Sequence, residues 1–70
     1  MPNPVPSKGD IWRFYGLGKE FTYLVVEYLE GGYYSGDGVR LLSFTQGEPP
    51  YIVEGVSKMI ADTRRWKFIS

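Results

Sequence analysis

Apolar and polar residues alternate in five short runs, separated by glycine- and proline-rich breaks. From Ile11 to Tyr15, Trp12 and Phe14 fall on one face and Ile11, Arg13 and Tyr15 on the other, the period-two signature of a strand. Arg13 marks the second face as at least partly wet. Lys8-Gly9-Asp10 launches this run, and Gly16-Leu17-Gly18-Lys19 breaks it. Phe21 to Leu29 is rich in β-branched and aromatic residues and predicts the central strand. Strict alternation places Leu24, Val26 and Tyr28 on one face. Tyr23, Val25, Glu27 and Leu29 share the other, with Glu27 marking it as the outer one.

Glu30 to Gly38 carries two competing turn signals, Gly31-Gly32 and Asp37-Gly38, both suited to the positive φ of primed hairpin turns. A tight turn at Gly31-Gly32 and one long loop both fit. Either way Tyr33 and Tyr34 sit near a loop tip. Val39 to Phe44 is the next strand. Leu41 and Leu42 are adjacent, and Arg40 pointing outward turns Val39 and Leu41 inward. Thr45 to Pro50 is a turn and Tyr51 to Glu54 a short strand. In Val56 to Asp62, Ser57 is placed to cap a single helical or 3₁₀ turn that would set Met59 and Ile60 against the core. Trp66 to Ile69 closes the chain as a fifth strand. The expected class is all-β: five strands with a short helical turn before the last.

Seventy residues make one domain, expected over 8–70. Residues 1–7, with proline at 2, 4 and 6, are expected to form a flexible extended arm, or one that lies on a neighbouring subunit. A domain this small buries only about 60% of the surface its unfolded chain exposes. The chain has no cysteine for a disulfide and no histidine, so its core must rest on Phe, Trp and Tyr, 17% of the residues.

The same two absences narrow the chemistry. Thiol nucleophiles, zinc sites and the commonest acid–base side chain near neutral pH are missing. The carboxylates are scattered, without the alternation of a calcium loop. No catalytic residue, cofactor or metal is expected. Lysine plus arginine equals aspartate plus glutamate, eight of each, which argues against a dedicated nucleic-acid binder. The cations are nonetheless concentrated late: Lys58, Arg64, Arg65 and Lys67 against Asp62 alone. No apolar run is long enough to span a membrane. No basic-then-apolar leader opens the chain, and cytoplasmic residence is the expectation.

The layout of Lys8-Gly9-Asp10-Ile11-Trp12, Tyr23-Leu24-Val25-Val26-Glu27 and Trp66-Lys67-Phe68-Ile69 resembles the SH3-like small barrel over roughly residues 8–69. An OB-type barrel usually needs more residues and a longer helix. The Lys-Gly-Asp-Ile-Trp opening also resembles the start of MazF/PemK-type ribonuclease toxins. Where that family's next strand opens on Arg-Pro, this chain has Phe21-Thr22-Tyr23, so the likeness covers the first strand alone. The plasmid-borne type II dihydrofolate reductases share the small barrel and loose arm, but their Val-Gln-Ile-Tyr strand motif is absent. The Ala-Leu-Tyr-Asp-Tyr strand of signalling SH3 domains is absent too. A fold resemblance implies no activity.

The functional expectation is a non-catalytic binding or adaptor protein of bacterial or phage type, docking a protein partner or itself. The residues expected to dock are Tyr33, Tyr34, Tyr15, Arg13, Arg64 and Arg65, because exposed tyrosine supplies area at low entropic cost and arginine supplies oriented hydrogen bonds. The alternative is RNA or DNA binding by Arg64, Arg65 and Lys67. A second alternative is an enzyme whose active site forms only on oligomerisation.

Trp12 and Trp66 both fall on the alternating inner face. Alanine at either is expected to cost about 3–5 kcal/mol and to unfold the domain. Thermal melting reads this directly; an unchanged midpoint for Trp12→Ala would remove it from the core.

Overall fold

The computed structural model describes residues 2–34 and 36–70; Met1 of the arm and Ser35 of the 30–38 segment lie outside the described residues. Five strands form one antiparallel sheet: β1 (Ile11–Gly16), β2 (Lys19–Tyr33), β3 (Gly36–Ser43), β4 (Tyr51–Val56) and β5 (Trp66–Phe68). Their order is β4-β3-β2-β1-β5, so the last strand returns to pair with the first. The all-β class read from the alternation is correct. The sheet is curled but not closed, and β4 and β5 are its two edges. Among the described residues no helix is long and apolar enough to cross a membrane.

β2 shapes the rest. At ~3.3 Å per residue its 15 residues would stretch ~45 Å if straight, longer than the 33 Å greatest dimension of the molecule. The strand has to bend, and it does so at a β-bulge. Val25 faces Leu41 and Glu27 faces Arg40, which leaves Val26 as an extra residue. An inserted residue resets the alternation of side chains. Before the bulge, Tyr23 and Val25 point inward and are buried; beyond it, Tyr28 packs on the core while Glu27 and Leu29 are exposed. This corrects strict alternation, which grouped Tyr23 and Val25 with Glu27 on the outer face.

A second irregularity lies further along. Leu29 faces Gly38 and Tyr33 faces Gly36, so Glu30, Gly31 and Gly32 together stand opposite Asp37. The strands therefore stay paired out to Tyr33, and the 30–38 segment is neither a tight turn at Gly31-Gly32 nor an unpaired loop.

Paired residues share a face. One inner row, Phe68–Trp12–Tyr23–Ser43–Tyr51, crosses all five strands. Behind it run Val25–Leu41–Val53 and Tyr28–Val39–Gly55. Trp12 and Met59 are fully buried, and Met59 comes from the 57–65 connection rather than from a strand. There Asp62 N donates to Lys58 O and Trp66 N to Asp62 O, both at 3.0 Å. These are single α-type turns, and neither lengthens into a helix. Met59 N donates to Ser57 Oγ at 3.2 Å, which tilts the chain so that Met59 plugs the core.

β5 is only three residues long and is held largely by side chains. Trp66 packs on Phe14 at 4.9 Å and on Tyr23 at 5.5 Å between ring centroids. Phe68 meets Trp12 edge-on at 5.7 Å. Its free edge is covered by the proline-rich segment at the N-terminus. Asn3 Nδ2 donates to Met59 O and to Trp66 O, both at 2.8 Å, and Asn3 N donates to Ile60 O at 3.0 Å. Pro6 is buried beside it.

Asn3→Ala removes both side-chain bonds and leaves two carbonyls short of a donor, so a loss of about 1–3 kcal/mol is expected. Urea denaturation measures it. An unchanged midpoint would mean that the clasp adds nothing to stability.

Candidate functional site

The hairpin joining β2 and β3 presents the aromatic pair. Tyr34 is fully exposed and Tyr33 about half exposed. The tip is braced by one carboxylate. Asp37 accepts a hydrogen bond from the Tyr28 hydroxyl at 2.6 Å and another from Gly31 N at 2.8 Å. Those two bonds favour the ionised form, the Tyr28 hydroxyl most, and hold the Asp37 carboxyl below its ordinary value. Tyr28 moves the other way: burial raises its pKa, and donation to Asp37 raises it further.

Two glycines complete the brace. A Cβ at Gly38 would run into the Tyr33 ring, so the ring rests directly on that backbone. Gly36 has φ +141°, which side chains rarely adopt. Tyr33 is thus seated over Gly38, while Tyr34 projects from the tip.

The cationic candidates gather elsewhere. Arg13 and Lys67 are cross-strand partners on β1 and β5. Tyr15 N donates to Arg65 O at 2.7 Å, which brings Tyr15 beside the turn that carries Arg64 and Arg65. Arg13 reaches Glu20 and Arg65 reaches Asp62, each at 4.0 Å, and Lys67 Nζ donates to Thr63 O at 2.7 Å. Each of these two ion pairs is long and joins one half-buried to one exposed side chain, so each contributes little to stability. Trp66, which the arginines flank, faces the interior and lies against Phe14 and Tyr23.

Tyr33 and Tyr34 lie on the β2–β3 hairpin, whereas Arg13 and Tyr15 lie on β1 and Arg64, Arg65 and Lys67 in β5 or the turn before it. Tyr15 pairs with Glu20 at the start of β2, whereas Tyr33 ends that strand. The two groups thus meet opposite ends of β2.

Sequence reading missed a third feature, a cleft of ≈ 190 Å³ between the two sheet edges. Its walls include Val53, Gly55 and Val56 of β4, Met59, and Trp66 of β5, with Tyr23 and Leu41 at its floor. Burial raises the Tyr23 pKa, and neighbouring Tyr51 and Glu48 add to the shift. The apolar content of Tyr51 to Val56 was visible in the sequence. That its far edge would stand open was not.

Among the described residues, no three acidic side chains converge as a metal site would require. No protein-family model, curated protein or solved structure matches the chain.

The depressed Asp37 pKa makes the brace acid-sensitive. Its contribution is complete above the ordinary aspartate value of ~3.9 and is lost as pH falls through the lower value of the folded state. The Gly31 amide resonance is expected to hold steady from neutral pH to about 5 and to move with a midpoint below ~3.9. A midpoint at or above the ordinary value would mean that the two bonds do not form in solution. Asp37→Asn should abolish the transition.

Proposed function

We propose that this chain is a small, non-catalytic SH3-like barrel of bacterial or phage type that docks a protein partner through its aromatic hairpin tip. The SH3-like assignment is supported by the strand order β4-β3-β2-β1-β5, a meander whose last strand returns to the first after a short turn. The docking reading rests on one observation: Tyr33 is seated on Gly38 and Tyr34 projects beyond it, in a hairpin braced by Asp37. Large aromatics left in water are unfavourable for a free monomer. Holding them in a fixed hairpin lowers the ordering cost of association. Tyrosine suits such a tip because its ring supplies area and its hydroxyl a hydrogen bond.

Nucleic-acid binding by Arg64, Arg65 and Lys67 is the second reading. It is supported by their exposure and by Arg13 lying across from Lys67. Against it, Trp66 packs inward and is not offered to a base. Salt separates the two readings. Counterion release makes affinity for a polyanion fall steeply with ionic strength, whereas an aromatic interface is much less sensitive.

Tyr34→Ala is expected to leave melting unchanged and Tyr33→Ala to leave the fold intact at a somewhat lower midpoint, because its ring packs on Gly38; both are expected to weaken partner binding, by roughly thirtyfold (about 2 kcal/mol) where the tyrosine is a hot spot. The partner is identified with a photoreactive residue at position 34, using position 17 as control. Leu17 is equally exposed but lies on the β1–β2 hairpin. One protein crosslinked at 34, absent at 17 and resistant to nuclease, is the expected result. Equal capture at both positions would remove the tip from the reading. Loss on nuclease treatment would move the assignment to the basic end.

A further inference from the structure

We propose that β4 is a receptor edge: an extended apolar segment of another protein adds to it as a sixth strand and sets alternate side chains into the cleft beside it. This site is distinct from the hairpin tip and does not depend on that reading.

The inference starts from hydrogen-bond direction. Ser57 N donates to Asp37 O at 2.8 Å, which makes those residues a bonded pair. From there the β3–β4 register runs without a break, from Gly38 opposite Val56 to Ser43 opposite Tyr51. Bonded and non-bonded pairs alternate in an antiparallel ladder. Tyr51, Val53 and Gly55 therefore aim their backbone groups at β3. Ile52, Glu54 and Val56 aim theirs off the sheet, and among the described residues nothing meets them.

The two edges are treated differently. On β5, Asn3 caps the carbonyl of Trp66, and the proline-bearing segment lies alongside. β4 has no such cover. It contains no lysine and no proline, and its one charge, Glu54, is drawn back to Arg40 of β3 at 3.3 Å, on the face away from the cleft's Val53 and Gly55. Half-exposed Tyr51 and Ile52 add apolar surface to it.

The cleft identifies the occupant. Consecutive residues Val53 to Val56 form its wall, so the open backbone and the apolar space are one site. At ≈ 190 Å³ it lies below the ~300–1,000 Å³ of small-molecule pockets and matches the scale of individual side chains. A lone extended strand satisfies both the backbone and the space, as in β-strand addition. A second folded copy does not. The edge it would offer is its own β4, whose Tyr51, Val53 and Gly55 already face its own interior. The proline-bearing segment of this chain does not serve either, because proline lacks the N–H that the ladder needs and Asn3 is engaged at β5.

The test is selection of random dodecapeptides from a display library against the wild-type protein. Glu54→Pro serves for counter-selection. That substitution deletes an outward N–H at a position where proline is tolerated and keeps the β3 ladder bonds; it also removes the 3.3 Å ion pair to Arg40, which Glu54→Thr removes equally. Melting checks that the variant folds, and Glu54→Thr keeps the N–H as a matched control. Enriched peptides are expected to carry apolar residues at alternate positions, to bind Glu54→Thr like wild type, and to lose about tenfold in affinity on Glu54→Pro. N-methylation of alternate peptide amides should give a similar loss on the wild-type protein, a readout that stands even if Glu54→Pro fails to fold. The proposal is overturned if no peptide is enriched, or if peptides bind regardless of proline at 54 and of N-methylation. It is also overturned if sedimentation shows self-association that Glu54→Pro abolishes, since a second copy would then be the occupant.

Discussion

Everything in this fold depends on β2 being bent. The strand is too long to run straight through so small a molecule, and it pairs with β1 through its first half and β3 through its second. The extra residue at Val26 lets one strand serve both neighbours while keeping Tyr23, Val25 and Tyr28 on the inside. The same bend brings the sheet edges round toward each other, leaving the cleft between them.

The enclosed space is filled by rings rather than braced by covalent links. A buried aromatic removes roughly 150–250 Å² from water, worth about 4–6 kcal/mol as an upper figure at ~25 cal/mol per Å². That explains how a three-residue strand can hold its place. β5 makes few ladder bonds, but Trp66 inserts between Phe14 and Tyr23, and the half-exposed Phe68 leans edge-on against Trp12. Ser43 is the one polar side chain in the buried set, and its hydroxyl has no partner among the described residues. It provides the narrow position in a row otherwise built of Phe68, Trp12, Tyr23 and Tyr51.

Much of this was legible in the sequence because it depends on local alternation. Trp12 and Phe14 turning inward, Arg40 deciding between Leu41 and Leu42, and Met59 following a capping serine all follow from spacing of a few residues. The Val26 bulge was not legible, because its cause is the global length limit on β2 and not any local breaker. Asn3 was hidden for a similar reason: an asparagine between prolines reads as solvated until Met59 and Trp66 are brought to it. At the hairpin, tyrosine exposure was expected. The part played by Asp37 was not, because its partners Tyr28 and Gly31 approach it only when three residues of one strand face one of the other. The candidate docking residues were read as one set, yet they fall on different elements, the tyrosine pair on the β2–β3 hairpin and the cations on β1, β5 and the turn before it.

The clasp at Asn3 also bears on how fast the chain folds. Its two side-chain bonds join residues 56 and 63 positions apart, and the β1–β5 ladder spans a comparable stretch. Loop-closure entropy grows only with the logarithm of length, so the two closures differ by about 0.1 kcal/mol. The two are nested: once β5 has paired with β1, only the short stretch from Asn3 to β1 remains to be closed, so the second closure costs much less than the first. The hairpins of β1 to β4 are local and form early. The closure is not local, and topologies dominated by such distant contacts fold in milliseconds to seconds rather than microseconds.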